Sequence, residues 1–259
     1  MNAYSKIINY EDYTQRMTKA IYDKLFFIDK IETKLIVDFG CADGRLIQTI
    51  NSVLQDPEVR YIGYDIDEKM IELANQLNES SNISFTSNWD EVETKGGTLI
   101  LSSIIHEVYH YLTVMEISKF WHKVFLSDFK YVVLRDMIPS SSIDRESEIN
   151  DVTKIYRKHY PSKQFKDFQN IWGSIENNKQ LIHFLLKYKY LEPNWDREVK
   201  ENYFPIYKED LLAIIPSNYN ILYSEHLALP FLKENIFQDF KIELKDKTHL
   251  KLILKRTDI

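Results

Sequence analysis

Glycine is scarce in this chain, 6 of 259 residues. With 7 prolines and 44% hydrophobic residues, that scarcity excludes a collagen-like or low-complexity chain and leaves a globular one. Cysteine is almost absent. The single Cys41 cannot form an internal disulfide, so a reducing compartment is expected. The first residues, MNAYSKIINYEDY, are polar and mixed in charge and lack the apolar core of a secretion signal. Long hydrophobic runs are missing too. The longest, from Leu99 to Ile105, is interrupted by Ser102 and Ser103 and is far too short to span a bilayer. The expectation is therefore a soluble, cytoplasmic protein. Nor is there an excess of positive charge. A net charge of −6 argues against a non-specific nucleic-acid binder, whose affinity comes from neutralising phosphates.

What is present is a large α/β pattern. The length suits one such domain with an inserted lid, or two small domains. Residues 11–29 carry Met17, Ile21, Leu25 and Ile28 at helical spacing, which predicts a helix with one face on the core. Leu35 to Gly40 is short, β-branched and apolar, as a buried parallel strand should be. A turn over Gly40 to Gly44 leads into a helix over Arg45 to Leu54, stopped by Asp56-Pro57. Further strands are predicted at Tyr61–Asp65, Ile83–Thr86, Thr98–Ser102 and Tyr131–Arg135. Helices over Glu68–Leu77 and Glu107–Leu126 alternate with them, which implies a parallel sheet covered on both faces. The alternation lapses over 137–205, read as a helical lid above the C-terminal edge of the sheet. A helix over Glu209–Ile215 and strands over Tyr219–Ala228 and His249–Lys255 close the chain. Four segments result: an N-terminal helical part (1–34), a cofactor-binding part (35–136), the lid (137–205) and the end of the core (206–259).

The chemistry concentrates in VDFGCADG. Asp38 stands at a strand end, followed by Gly40, Ala42 and Gly44. A ligand approaches a backbone closely only where side chains are absent or tiny. The turn also aims the first amides of the next helix into the crevice. Asp65 closes the second strand, where an acid accepts two hydrogen bonds from ribose hydroxyls. Taken alone, the turn also suits a tight strand–helix connection in an unrelated α/β protein. A dinucleotide fingerprint, however, needs a third glycine where Arg45 stands, and that side chain would crowd the helix–sheet contact.

LIVDFGCADGRL resembles the first motif of class I S-adenosylmethionine-dependent methyltransferases. GYDID looks like their ribose-binding motif, SNWDEV occupies their adenine-contacting position, and LILSSIIHEV looks like their fourth-strand motif. The resemblance covers about 35–136 and 206–256 and implies a Rossmann-like, doubly wound sheet of seven strands, the last antiparallel, closing as a hairpin. It implies that Asp38 orients the turn and the methionine amino group. Gly40, Cys41, Ala42 and Gly44 would line the methionine and ribose. Asp65 would hold the ribose hydroxyls with Ile66 against the adenine, Asn88 and Trp89 would recognise the adenine, and the Ser102 carbonyl would face the methionine ammonium. S-adenosylmethionine would be the cofactor and S-adenosylhomocysteine the product. Two positions depart from the pattern: Ala42 replaces a frequent glycine, and the usual acid after the third strand is either Asp90 or replaced by Asn88.

His106-Glu107-Val108-Tyr109-His110 matches HExxH, which on a helix binds zinc with the glutamate as base. Such a site needs a third ligand downstream. The segment about twenty residues on reads as a buried strand, and Glu116 is too close on the same helix. No metal is expected. His106 and Glu107 instead fall where this fold places the methyl acceptor, and His106 is the candidate general base. The structural alternative is that His106 caps the helix or bonds a neighbouring loop.

The lid holds 11 aromatic residues among 69, too close to the chain average to indicate an aromatic substrate. Lys154, Arg157, Lys158, Lys163 and Lys166 form a basic stretch without acids. The first three share a helix face suited to a phosphate, a carboxylate or an RNA backbone, or simply to solvent. The preferred reading is methyl transfer to an O or N acceptor on a small molecule under a closing lid. Alternatives are an RNA or protein methyltransferase, a non-catalytic S-adenosylmethionine-binding regulatory module and, remotely, an HExxH zinc hydrolase.

Overall fold

The computed structural model describes residues 21–160 and 162–258. Met17 and most of the expected N-terminal helical segment lie outside them. In the described part, helix α1 covers only Ile21–Lys24, and residues 25–30 turn instead of extending the helix to 29. Ile21, Leu25 and Ile28 still lean on the core of the sheet, as their spacing requires.

The sheet has seven strands: β1 (Leu35–Phe39), β2 (Arg60–Tyr64), β3 (Ile83–Thr86), β4 (Thr98–Ser102), β5 (Tyr131–Asp136), β6 (Tyr219–Leu227) and β7 (His249–Arg256). Their order is β3-β2-β1-β4-β5-β7-β6. The first five are parallel. β7 runs the other way: the Arg256 amide near its end donates to the Lys130 carbonyl at the start of β5. This is the Rossmann-like, doubly wound arrangement expected, with an antiparallel last strand. The central strands read as near-continuous apolar runs because both faces are covered. On one face, helices α2 (Arg45–Leu54) and α3 (Glu68–Leu77) bury Ile47, Ile50 and Ile71 against Ile36, Tyr61 and Ile100. On the other, Phe120 stacks edge-on against Phe39, 5.4 Å between ring centres.

Two expected elements differ. The helix predicted over Glu107–Leu126 is two, α4 (Ile105–Tyr111) and α5 (Val114–Leu126). The break is chemical. Thr113 accepts the Glu116 amide through its hydroxyl, and Glu116 accepts the Thr113 amide, a capping box that starts a new helix. The last two strands are neighbours but not a tight hairpin. A helix, Pro230–Phe240, joins them, with proline at its first turn where its missing amide is harmless.

The chain divides into two compact units. The sheet unit comprises 21–136, 215–225 and 251–258, and the other comprises 137–214 with 226–250. The second is helical: α6 (Ile149–His159), α7 (Lys163–Trp172), α8 (Asn178–Lys187), α9 (Trp195–Glu198), α10 (Lys208–Ala213) and α11, the Pro230–Phe240 helix. It has its own core, with Phe165, Phe168, Phe184 and Trp195 fully buried. No helix among the described residues is long and apolar enough to cross a membrane.

Candidate active site

The turn after β1 is held open by backbone conformation. Gly40, Ala42 and Gly44 all have positive φ, at 78°, 46° and 76°. A Cβ on Gly44 would come within 2.4 Å of the Phe85 ring, and one on Gly40 within 2.7 Å of Ile104. Both positions therefore require glycine on two grounds, conformation and space. Ala42 carries its Cβ in the left-handed region at a strain cost.

Asp65 secures this turn from β2. Its Oδ2 accepts the Ala42 amide at 2.8 Å and its Oδ1 the Asp67 amide at 2.9 Å. Burial pushes its carboxyl above the ordinary value, against the pull of those amides. Each oxygen keeps a lone pair for a diol. Ile66, next to it, is an apolar side chain left 57% exposed, which suits a flat aromatic ligand surface beside the ribose acid. Cys41 is buried between Asp38 and Asp65, and burial drives its thiol far upward, so it is an unreactive wall.

After β3, Asn88 accepts the Asp90 amide and donates to Glu91, capping a single 3-10 turn, Trp89–Glu91. Trp89 packs edge-on against Phe39 and Tyr64, 5.4 and 5.1 Å between ring centres, with the Lys123 ammonium over its face. Asn88 and Trp89 thus shape the rim after β3. The Asn88 side chain is partly committed to its own turn.

A polar row crosses the C-terminal end of three adjacent strands. Asp38 of β1 stands opposite Ile100 of β4, and Ser102, two residues on, stands opposite Arg135 of β5. The alternation of strand side chains puts Asp38, Ser102 and Arg135 on one face. Asp38 is only 2% exposed, and burial lifts its carboxyl to about 7. The Ser102 hydroxyl is buried with no hydrogen-bond partner among the described residues. Ser103 follows with φ 58°, a strained conformation of the kind that collects at functional sites, and its hydroxyl accepts from Arg135 at 3.1 Å.

The His106 and Glu107 junction lies at the start of α4. Asp136, at the end of β5 and 0% exposed, organises it. Its Oδ2 accepts the amides of Ile105 (2.6 Å) and His106 (3.3 Å), and its Oδ1 lies 2.8 Å from His106 Nδ1. An ionised carboxylate there assigns the proton to Nδ1 and turns the Nε2 lone pair to the opposite side of the ring. His106 is 7% exposed, and Glu107 beside it is partly buried. Of the HExxH pattern, the other histidine, His110, packs its ring on Tyr111. Among the described residues no three His, Cys, Asp or Glu side chains cluster to hold a metal.

The structure thus brings Asp38, the glycine turn and Asp65 together around one strand-end crevice. It adds Ser103, Arg135 and Asp136, which the sequence motifs did not single out. A charge pair closing an otherwise apolar strand, as in YVVLRD, was the available signal. The basic stretch behaves differently from the expectation of an RNA contact. Lys154 donates to the Lys241 carbonyl (2.8 Å) and Lys158 to the Asp239 carbonyl (2.6 Å), so both cap the end of α11. Lys163 pairs with Glu192 and Asp167. Two of the three cations offered to RNA are spent inside the helical unit, and that reading is left without support.

A sequence profile described as a methyltransferase domain matches residues 32–95. Among solved structures, the plantazolicin methyltransferase BamL, in complex with a triazolic desmethylPZN analog and SAH, is 14% identical. That match covers 95% of this chain and 89% of the other at a TM-score of 0.53. The PH0226 protein from Pyrococcus horikoshii OT3 is 11% identical over 99% and 96% of the two chains, with a TM-score of 0.52. The MccD protein is 10% identical over 92% and 98%, with a TM-score of 0.51. No curated protein sequence matches. At these identities the likeness is one of fold.

Proposed function

We propose that this chain, built on the class I methyltransferase fold, transfers a methyl group from S-adenosylmethionine to an O or N acceptor on a small molecule. One observation carries the reading: the positive-φ turn over Gly40–Gly44, stapled through the Ala42 amide to Asp65 at the neighbouring strand end. The pieces around it fit the donor. Asp65 would take the ribose hydroxyls, Ile66 the adenine face, and Asn88 and Trp89 its rim. Gly40, Cys41, Ala42 and Gly44 would leave room for the methionine and ribose. Asp38 would receive the methionine ammonium, beside the Ser102 carbonyl. The buried, unpartnered Ser102 hydroxyl supports a polar ligand at this position, because such a group is costly to bury alone. The bound sulfonium supplies the methyl group and is already a good leaving group. This chain's residues have to hold the acceptor in line and keep water out.

His106 would remove a proton from a hydroxyl acceptor through Nε2, with Asp136 fixing the ring and balancing the charge that develops. A neutral amine acceptor would need His106 only as a contact, and Glu107 would then face the same acceptor. BamL, solved with SAH and an analog of a desmethyl compound, supports a small acceptor of this general kind.

Calorimetry with S-adenosylmethionine and S-adenosylhomocysteine tests the reading directly. Both should bind, and Asp65→Ala should weaken both by about 1–3 kcal/mol. Failure of the unaltered protein to bind either one would overturn it.

A further inference from the structure

The helical unit holds a cluster of titratable groups that methyl transfer does not use. His183 and Lys187 stand one turn apart on α8, so their side chains leave the same face of the helix. His183 is 2% exposed and Lys187 0%. Both reach the chain at the end of α9 and just beyond it. The Lys187 ammonium donates to the carbonyls of Glu198 and Glu201. His183 Nε2 lies 3.2 Å from the same Glu201 carbonyl and 3.3 Å from the Tyr203 amide. One oxygen therefore stands between an ammonium and an imidazole, and the rings of Trp172 and Tyr203 pack on both.

The Tyr203 amide can only donate, so it selects a neutral imidazole. Nε2 accepts from it, and the ring proton sits on Nδ1, 3.4 Å from the Gln180 side-chain oxygen. A second proton, on Nε2, would reverse that bond. The buried Tyr203 amide would lose its acceptor, and the new N–H would face a carbonyl that already serves a cation. The other charges around the pair do not offset this. Lys179, on the same helix, is a third cation. Glu201 is paired with Arg197 at 2.7 Å, and the Glu198 carboxylate accepts the Tyr203 hydroxyl. From α7 come rings, Phe168 and Trp172. Burial first, then Lys187, hold the His183 imidazole well below the ordinary histidine value, and burial lowers Lys187 itself to about 7. Lys187 is thus an ammonium wherever a histidine titrates. We propose that His183 is an acid-sensitive latch within the helical unit, which holds residues 198–204 against α8 while neutral and releases them when Nε2 gains a proton. The latch is independent of the donor assignment. A histidine depressed in the folded state contributes stability that is fully present above about pH 6.5 and is lost as pH falls below it, because the released chain takes up the proton. Glu198, whose carboxyl is raised by burial, acts in the opposite direction, so the latch is read as a difference between proteins.

The test is amide hydrogen exchange on the full chain at pH 7 and pH 5.5, corrected for intrinsic rates. The unaltered protein is compared with His183→Gln, whose side-chain oxygen accepts an amide without titrating, and with Lys187→Met, which removes the competing ammonium. Protection over 198–204 should fall between the two pH values by roughly five- to tenfold more in the unaltered protein than in His183→Gln. Lys187→Met should also flatten the fall, because the Glu201 carbonyl is then free to accept an imidazolium. The proposal is overturned if the unaltered protein keeps the same protection at both pH values, or if His183→Gln loses as much as the unaltered protein does. Should His183→Gln fail to fold, Lys187→Met decides: a flattened fall upholds the latch, and an unchanged one overturns it.

Discussion

At the scale of single residues, the same burial that prepares the site makes it sensitive to pH. Asp38 is raised from 3.8 to about 7 chiefly by desolvation, so the folded, ligand-free protein holds this proton more tightly than the unfolded chain. Between those values, stability from this group falls as pH rises, because the native state binds the extra proton. Ligand binding has the opposite sign. A methionine ammonium requires the ionised carboxylate, so binding below about pH 7 expels a proton. Donor affinity should fall by up to roughly tenfold per pH unit below 7. Calorimetry at pH 6 in buffers of different ionisation enthalpy would report the released proton, and Asp38→Asn should abolish both the slope and the release. His106 gives a second prediction. Asp136→Asn removes the charge behind the imidazole and allows the wrong tautomer. If His106 is a base, methyl transfer to a hydroxyl acceptor should drop by about 10²–10⁴-fold while donor affinity stays within a few fold. A parallel loss of donor affinity would instead assign Asp136 to holding the strand ends together. Asp38 and Asp65 were legible in the sequence because the turn that uses them is local and its pattern contiguous. Asp136 was not, because it reaches the site through strand order. Asp136 meets His106 across 30 residues of chain only because β5 lies beside β4.

At the scale of elements, the strands were readable because burial on both faces leaves an unbroken apolar run, and all five parallel ones fall within a residue of their expected ends. Helix boundaries were less so. The apolar spacing of α4 and α5 runs through the break, whereas the capping box that makes the break depends on two polar side chains, Thr113 and Glu116. The helix between β6 and β7 was missed because the closing pair was expected as a hairpin from the resemblance and not from the residues between the strands. The glycine turn offers a sharper test of which local feature matters. In Gly44→Ala the new Cβ meets the Phe85 ring at 2.4 Å and the backbone stays at φ 76°. Strain and overpacking together should cost about 2–4 kcal/mol in chemical denaturation. Replacing Phe85 by Leu in the same chain removes the collision and leaves the conformational part, so the two changes should be non-additive in the favourable direction. Ala42→Gly, by contrast, trades relief of strain at φ 46° against a more flexible unfolded chain, and should stay within about 1 kcal/mol of the original. A large loss there would mean that the Ala42 methyl itself packs in the site.

At the scale of the whole molecule, two of the buried clusters among the described residues have no residue in common. One lies under α2 and α3 and is built on Ile36, Ile47 and Ile100. The other joins α6, α7, α8 and α11 through Phe165, Phe168, Phe184 and Phe240. The helical unit also satisfies its own buried charge. The Lys187 ammonium, 0% exposed, donates to the carbonyls of Glu198 and Glu201 and lies 4.1 Å above the Tyr203 ring. Every residue assigned here to the donor, from Asp38 to Ser102, belongs to the sheet unit. Damage to the helical core should therefore separate folding from donor binding. Phe184→Ala empties the centre of that core and should cost about 3–5 kcal/mol where it acts. Hydrogen exchange should show amide protection lost over 137–214 and 226–250 while β1, β2 and β4 keep theirs, and S-adenosylhomocysteine should still bind with unchanged affinity. Protection falling in step across both sets of residues would show that the two cores unfold as one cooperative unit, and donor binding would then report on the stability of the whole chain.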